Sequence, residues 1–324
     1  MRRFLLSSLA SLLLCAISAA GAHAQDVIRL GNLKFAHYGA VSYMKEIAPK
    51  CGLKIEERIF AKGIDIMPAI VAGEIDMAAS GLDAAIAGRA SGAPVYVVAG
   101  FAKGGLRLVV GSKLDVKTVG DLKGRKIGIA RGGAAELALF AELAKAGLTW
   151  SDKPGKDVQI LYMAYPDVNQ ALMSGDIDTM MQAEPYASQT INKGFGRELL
   201  KPYDTEMGEP VRSLIITEKL YGQRDVALRL MRCFVEATGT FIADPALAEK
   251  YVRETMFKNQ ITSQDYKDAI GNSPFTYDIT VEHVQITTDY MQKYGVGRMA
   301  NPPTAADWVK LDLLAEATAT LARK

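Results

Sequence analysis

The sequence predicts an α/β fold of two similar lobes, each a mostly parallel sheet flanked by helices. Short apolar runs alternate with helical patterns along the chain, which is typical of parallel sheets with helical crossovers. An internal repeat supports two lobes: Ala69–Asp76 and Ala171–Asp178 share a helix end, a glycine stop and the start of a strand, 102 positions apart. A period this long indicates matched lobes rather than a solenoid, although such units also recur by chance in α/β proteins.

The first 24 residues are typical of a cleavable export signal. Arg2-Arg3 is followed by an apolar run from Phe4 to about Ala20, and Ala22-His23-Ala24 matches an A-x-A cleavage site. The run is short for a membrane anchor. The leucine that precedes Cys15 does not fit a lipidation site. We therefore expect cleavage after Ala24 and a mature chain in the periplasm.

The mature chain is long enough for two domains and nearly neutral. The whole sequence has 38 basic and 36 acidic residues, and two of the basic ones lie in the predicted signal. This near-neutral charge does not indicate binding to nucleic acid or to a membrane surface. Cys51 and Cys233 could form a disulfide in an oxidising compartment. We expect instead two buried free thiols in helices.

The first lobe is predicted to comprise residues 25–115 and 212–324, the latter including the C-terminal helices. A strand at Val27–Leu30 precedes an aromatic and polar loop, Gly31–Gly39, and a helix from about Val41 to Cys51. The further elements are a strand at Lys54–Ile59, a helix through Ala72, a strand at Ile75–Ala78, a helix through Ala90, and strands at Pro94–Ala99 and Leu106–Val110.

The second lobe is predicted to comprise residues 116–211, with chain crossings near 112–118 and 202–211. Its strands and helices begin with Val119–Ile129, then a helix through Ala146, a strand at Val158–Tyr162 and a helix from Tyr165 to Gly175. A proline is tolerated in the first turn of that helix because its missing N–H would be unpaired there. We expect the strand Val211–Thr217 to return to the first lobe, followed by helices to the end.

Polar and aromatic residues follow many of the predicted strands. Ligands of open α/β sheets bind outside the carboxyl ends of the strands, and two lobes can bring these ends together across a cleft. We therefore predict a ligand site from the loops that contain Lys34, Phe35, His37, Tyr38, Lys62, Ser80, Phe101, Arg131, Gly132, Gly133, Tyr165, Glu184 and Tyr186.

The motifs of cofactor and metal sites are missing from the sequence. Ala130–Gly133 opens a helix and could bind an anion or form a simple tight turn, but it is neither a dinucleotide fingerprint nor a P-loop. His37 and His283 are too far apart in sequence to suggest a zinc motif, so we predict no metal and no cofactor. Asp76 and Asp178 could be paired catalytic acids, but their repeat positions favour structural turn or capping roles.

The chain resembles the periplasmic solute-binding proteins of ABC importers, of the type that handles sulfonates, taurine, nitrate or thiamine precursors. The resemblance covers about residues 26–220. It rests on the export signal, on Ala69–Asp76 with Gly92–Val95, on Asp121–Gly128 and on Ala171–Tyr186. It implies a type II periplasmic-binding-protein fold, a ligand caught between the lobes by hinge closure, and a membrane permease as partner. A monomer without nucleic-acid partners is expected.

The loop after the first strand departs from a short loop of small residues, which argues against a small inorganic anion. Phe35, His37, Tyr38, Phe101 and Tyr186 suggest a site that covers an organic or aromatic body, although each could equally pack in the core. An acidic group of the ligand, sulfonate-like or carboxylate-like, could pair with one of three cations: Lys34, Arg131 or Arg212.

Two other functional classes are compatible with the same fold. An exported enzyme could use His37 with a cleft carboxylate such as Glu184. A sensor domain could present its closed lobes to a signalling partner. A related branch that makes a thiamine pyrimidine carries a cysteine-rich cluster, which this chain does not have. We therefore expect a binding protein and not an enzyme.

Overall fold

Two β-sheets, of five and six strands, organise residues 25–321, the part of the chain that a computed structural model describes. The predicted export signal lies outside these residues. The strands are β1 (Asp26–Leu33), β2 (Leu53–Phe60), β3 (Met77–Gly81), β4 (Val95–Lys103), β5 (Leu106–Gly111), β6 (Lys126–Ile129), β7 (Trp150–Ser151), β8 (Val158–Tyr162), β9 (Thr179–Ala183), β10 (Gly196–Leu200) and β11 (Val211–Thr217).

Helices cover both sheets. They are α1 (Gly39–Ile47), α2 (Ile66–Val71), α3 (Leu82–Ala90), α4 (Ala134–Lys145), α5 (Tyr165–Ser174), α6 (Tyr186–Asn192), α7 (Glu218–Gly222), α8 (Arg224–Ala243), α9 (Pro245–Lys250), α10 (Ser263–Asn272), α11 (Val281–Tyr294), α12 (Ala305–Trp308) and α13 (Asp312–Leu321). Short 3-10 turns lie at Ala36–Tyr38, Ala48–Cys51, Gly63–Asp65 and Val119–Leu122, and a π-helical turn lies at Tyr251–Met256.

The strand order is β2-β1-β3-β11-β4 in the first sheet and β10-β5-β9-β6-β8-β7 in the second. In the first sheet β1 is parallel to β2 and β3, while β11 runs antiparallel to β3 and β4. In the second, β6, β7, β8 and β9 form parallel pairs, while β5 is antiparallel to β9 and β10. The predicted α/β fold with two mostly parallel sheets is confirmed.

Burial along the strands follows their position in the sheets. All residues of the central strands β9 and β11 are buried, because helices cover both faces. The edge strand β2 alternates instead: Leu53 and Ile55 are buried, while Lys54 and Glu56 are exposed.

The first crossing between the sheets lies at Gly104–Gly105, not near residues 112–118. The sequence analysis placed β5 in the first lobe. In the structure β5 pairs with β9 and β10, so the second sheet begins at Leu106. Both glycines have left-handed φ angles, 69° and 78°, which allow the abrupt turn. An apolar strand does not itself specify which sheet it joins, and this caused the error. The chain returns to the first sheet between Leu200 and Val211.

The two copies of the repeat have the same structure. The glycine in each copy has a left-handed φ, 73° in the first and 84° in the second. The carboxylate of Asp76 accepts a hydrogen bond from the Arg29 backbone N–H at 3.0 Å, and that of Asp178 accepts one from the Lys126 N–H at 2.9 Å. Each acid thus ties its strand to the neighbouring parallel strand, as expected of structural acids.

C-terminal helices contact elements of both sheets. α8 packs against α1 and α13, α10 packs against α6, and α11 lies against both α3 and α4. Cys51 and Cys233 are both free. Between residues 25 and 321, no helix is long and apolar enough to cross a membrane.

Candidate functional site

A small cavity lies between the ends of the two sheets, and elements of both contribute to its wall. Its volume is about 40 Å³, on a scale where one water molecule needs about 10–15 Å³. We call it the inner cavity. Nine predicted site residues line it: Phe35, His37, Tyr38, Lys62, Arg131, Gly132, Gly133, Tyr165 and Arg212. The structure brings these residues together; their role in ligand binding stays a prediction.

Four of the other predicted residues lie behind or beside the wall. The Lys34 ammonium donates to Gln260 at 3.0 Å instead. Ser80 and Phe101 are fully buried, and Tyr186 packs edge-on against another ring of the wall. None of these four side chains lines the inner cavity.

The aromatic side chains of the wall pack chiefly on one another. Phe35, which follows β1, makes edge contacts with Tyr165 at 5.2 Å and Tyr186 at 5.9 Å, both from the second-sheet side. Tyr38 packs edge-on against Phe101 at 4.8 Å. The core-packing alternative therefore accounts for much of this cluster, which explains why the cavity is so small.

Arg212 and His37 form the most deeply buried polar pair of the wall. Arg212, in β11, donates from Nε to His37 Nε2 at 3.2 Å, and the two residues are 4% and 1% exposed. Burial, assisted by the charge of Arg212, holds the pKa of His37 well below its usual range. The imidazole is therefore neutral, and since Nε2 accepts, its proton is on Nδ1.

Two donors of this pair are left without a partner. Arg212 Nη1 and His37 Nδ1 are buried, and no atom of residues 25–321 accepts a hydrogen bond from them. Buried donors without acceptors are costly, so such positions commonly mark a missing ligand or water. The two atoms therefore create a place for an acceptor.

Asp83 also lines the inner cavity and was missed by the sequence analysis. It is 4% exposed and lies in the first turn of α3. Burial raises its pKa to about 6, although the charge of Arg212 and a backbone hydrogen bond from Ala134 oppose the rise. Its position just after Ser80-Gly81, at a strand-to-helix turn, was the signal that could have identified it.

The glycine-rich start of α4 is already occupied by a carboxylate of its own helix. The Gly132 N–H donates to Glu136 Oε2 at 2.6 Å, and Tyr162 donates to the other oxygen at 2.5 Å. Arg131 is exposed, with its guanidinium 3.5 Å from the centre of the Tyr162 ring and 3.3 Å from Asp152. This turn is thus less open to an anion than its sequence suggested.

Glu184 does not line the inner cavity. It is fully buried, pairs with Arg107 Nε at 2.5 Å and accepts hydrogen bonds from Asn272 at 3.0 Å and the Ser188 hydroxyl at 2.7 Å. Its N–H donates to Gly105, at the first crossing. The pairing of His37 with Glu184 that an enzyme would require is therefore not supported.

Glu184 belongs to a network that joins both crossings to α10. Gly104 N–H donates to Pro210 in the second crossing, and Gly105 N–H donates to Asn272. The Tyr203 hydroxyl bonds to Asn272 at 2.9 Å and to the backbone of Leu106 at 3.1 Å. We call this set of contacts the hinge network.

No group of three or more His, Cys, Asp or Glu residues with the arrangement of a metal site occurs in the described part of the chain. The inner cavity is lined by three cationic side chains, the neutral imidazole of His37 and the carboxyl group of Asp83. These groups suit the binding of a small polar group.

Known proteins match the chain over most of its length. The NMT1-like family matches residues 22–253. A protein of Escherichia coli strain K12 named for aliphatic sulfonate binding is 30% identical over 142 residues, 43% of each chain. The chain thus spans less than half of that relative. A Brachyspira hyodysenteriae protein named as an ABC transporter periplasmic binding protein is 24% identical over 290 residues, 81% of each chain.

Solved structures show the same fold. The alkanesulfonate-binding protein SsuA of Xanthomonas axonopodis pv. citri, bound to MOPS, has a TM-score of 0.73 at 19% identity, covering 88% of this chain and 98% of its own. The periplasmic nitrate-binding protein NrtA of Synechocystis PCC 6803 has a TM-score of 0.73 at 18% identity, covering 92% and 89%. These similarities establish the periplasmic-binding-protein architecture predicted from the sequence.

Proposed function

Because the chain belongs to the NMT1-like family, whose relatives are periplasmic solute-binding proteins, we propose that it captures a small organic anion between two lobes for an ABC permease. It is a binding protein rather than an enzyme. Cleavage of the export signal after Ala24, a monomeric state and the absence of nucleic-acid partners are part of the proposal.

The observation that carries the proposal is the pair of unpartnered donors, Arg212 Nη1 and His37 Nδ1. A charge-assisted hydrogen bond to an anionic oxygen would satisfy the guanidinium, and a second oxygen of the same group could accept from the imidazole. Carboxylates and sulfonates both offer such oxygens. The names of the sulfonate-binding relatives agree with this chemistry.

Asp83 would oppose the bound anion. An anion next to a buried carboxylate favours the protonated acid, since two like charges in one site repel. Its raised pKa, about 6, makes this protonation inexpensive. Anion binding should therefore be accompanied by proton uptake, and it should weaken as the pH rises above about 6.

Closure of the lobes around the ligand is also proposed. We assign β1–β4 with β11 to one lobe and β5–β10 to the other, so that the crossings and the hinge network lie between them. Contacts such as that of Phe35 with Tyr165 bridge the two sides and would have to separate when the ligand leaves. The small volume of the inner cavity supports a closed arrangement.

The proposal is tested by calorimetry and thermal shift with methanesulfonate, ethanesulfonate, acetate and benzoate, and with tetramethylammonium as a cationic probe. At least one anion should raise Tm and bind stoichiometrically without being converted. Arg212→Gln should weaken that binding about 10- to 100-fold, the value of a charge-assisted hydrogen bond.

The matched control is Arg125→Gln, which removes a guanidinium from an ion pair with Asp178 well away from the inner cavity. It should bind the anion as the unchanged protein does. Equal losses in both variants, or binding of the cation alone, would show that Arg212 is not the anion site.

A further inference from the structure

A second, larger cavity of about 540 Å³ opens directly beside the inner cavity. We call it the outer groove. Lys62, Ile64, Arg131 and Gly132 line both, so the two spaces adjoin each other at these residues. The outer groove takes its remaining wall from Asp65, from the second sheet with the residue after β7, from α4, and from the end of α11 with the turn after it.

The outer groove has an aromatic wall. Trp150, in β7, stacks on Phe140 of α4 with ring centres 4.8 Å apart and meets Tyr294 of α11 edge-on at 6.0 Å. Trp150 and Tyr294 are half-buried, so each keeps part of its ring open. Regular elements hold these rings, which suits a pre-formed surface for a flat or apolar group.

Arg131 and Tyr162 lie where the two spaces meet. The guanidinium covers the Tyr162 ring and pairs with Asp152, so its charge is already balanced. A guanidinium that lies over a tyrosine ring offers its other face for stacking. This explains the position of Arg131 better than direct pairing with an anion in the inner cavity.

The sizes of the two spaces suggest different occupants. About 40 Å³ suffices for a carboxylate or sulfonate group but not for the organic body that the aromatic loops suggested. The outer groove lies within the ordinary range of about 300–1,000 Å³ for small-molecule sites. A ligand with its anionic group at Arg212 would reach the outer groove by passing Arg131, which lines both spaces.

We propose that the ligand is bipartite: its anionic head occupies the inner cavity, and an aromatic or extended apolar tail occupies the outer groove against Trp150 and Tyr294. This inference rests on the proposed function, because it needs the anionic head to bind at Arg212. It assigns a subsite and a ligand class, that of anions with a sizeable apolar tail.

The test compares methanesulfonate, which has a head alone, with hexanesulfonate and 2-naphthalenesulfonate, which add extended and flat tails. The tailed compounds should bind at least about 10-fold more tightly in calorimetry. Trp150→Leu should weaken the binding of the tailed compounds about 3- to 10-fold, since an aromatic contact contributes about 0.5–1.5 kcal/mol. Methanesulfonate should bind both proteins equally.

Intrinsic fluorescence gives a second readout. The sequence has two tryptophans, and Trp308 is fully buried in the core. Hexanesulfonate should therefore shift the emission of Trp150 more than methanesulfonate does, because only its tail reaches the ring. Tyr96→Leu, which alters a half-buried ring on β4 outside both cavities, is the matched control and should preserve the advantage of the tailed compounds.

The outcomes separate this inference from the proposed function. If no sulfonate or carboxylate binds, both fail. If methanesulfonate binds through Arg212 but tails add no affinity and Trp150→Leu changes nothing, the outer groove is not a tail subsite and the proposed function stands. If tailed compounds still bind Arg212→Gln unchanged and depend on Trp150, the groove is a separate site and the bipartite ligand is wrong.

Discussion

The two sheets contain the same repeated unit, Ala69–Asp76 in one and Ala171–Asp178 in the other. The first carboxylates after the strands that follow this unit nevertheless have different partners. In each copy an aspartate, Asp76 or Asp178, ties a strand to its parallel neighbour through a backbone N–H. The first carboxylate after β3 is Asp83, which faces the inner cavity. The first after β9 is Glu184, which turns away and pairs with Arg107.

This contrast shows which part of the repeated unit is free to differ between the two copies. The helix stop and the tie between strands are fixed by backbone geometry, so both copies retain them. The loop beyond the strand has no such constraint, and there one copy provides a cavity acid and the other a hinge acid. The proposed function would place binding and closure at corresponding positions of the two sheets.

The largest expected effect comes from removing Glu184, the acid of the hinge network. Glu184→Ala removes a buried carboxylate and leaves Arg107 Nε and the Ser188 hydroxyl without their acceptor, while Arg107 keeps its ion pair with Glu198. We expect a loss of about 2–4 kcal/mol in the free energy of unfolding, measured by urea denaturation, because buried donors lose their acceptor.

The control for this prediction is Glu74→Ala, from the exposed ion pair with Arg58. A pair open to solvent contributes at most about 1 kcal/mol, so this variant should be nearly neutral. Similar small losses in both variants would mean that the hinge network does not stabilise the fold.

Replacement of Asp83, the acid that lines the inner cavity, should change the free energy of unfolding in the opposite direction. The pKa of Asp83 is raised to about 6, so the folded protein favours the protonated form, and stability is lost as the pH rises through the window from about 4 to about 6. Asp83→Asn should therefore stabilise the ligand-free protein at pH 7, by up to about 3 kcal/mol, and have little effect near pH 4.

Asp167→Asn is the comparison for Asp83, because Asp167 also occupies the first turn of a helix but is exposed. It should change the unfolding free energy by less than about 0.5 kcal/mol at either pH. A pH-independent effect of Asp83→Asn would contradict burial as the cause of its raised pKa.

The smallest expected effects distinguish the two structural acids. Asp76 also binds the Arg29 side chain, at 2.6 and 2.8 Å, and these hydrogen bonds lower its pKa despite the opposing effect of burial. Asp178 has a looser partner, with Arg125 at 3.5 Å. Asp76→Ala should cost about 1–2 kcal/mol and Asp178→Ala about 1 kcal/mol in thermal unfolding. The reverse order would show that the side-chain pair contributes nothing.

Features set by local chemistry could be predicted from the sequence. The glycine stops, the structural acids and the loops after the strands follow from helix-end and sheet geometry, and these loops supplied His37 and Arg131 to the cavity wall. What depended on distant partners was not predictable. β5 belongs to the second sheet because it pairs with β9. The side chain of Glu184 points away from the inner cavity because it pairs with Arg107 and Asn272.

The position of β11 has a consequence for the order in which the chain folds. This strand lies between β3 and β4, so the first sheet stays incomplete until residues 211–217 are available. The strands of the second sheet all lie within residues 106–200, one continuous segment. Since pairing over short sequence distances is faster, we expect the second sheet to form first and to serve as the support on which the first is closed.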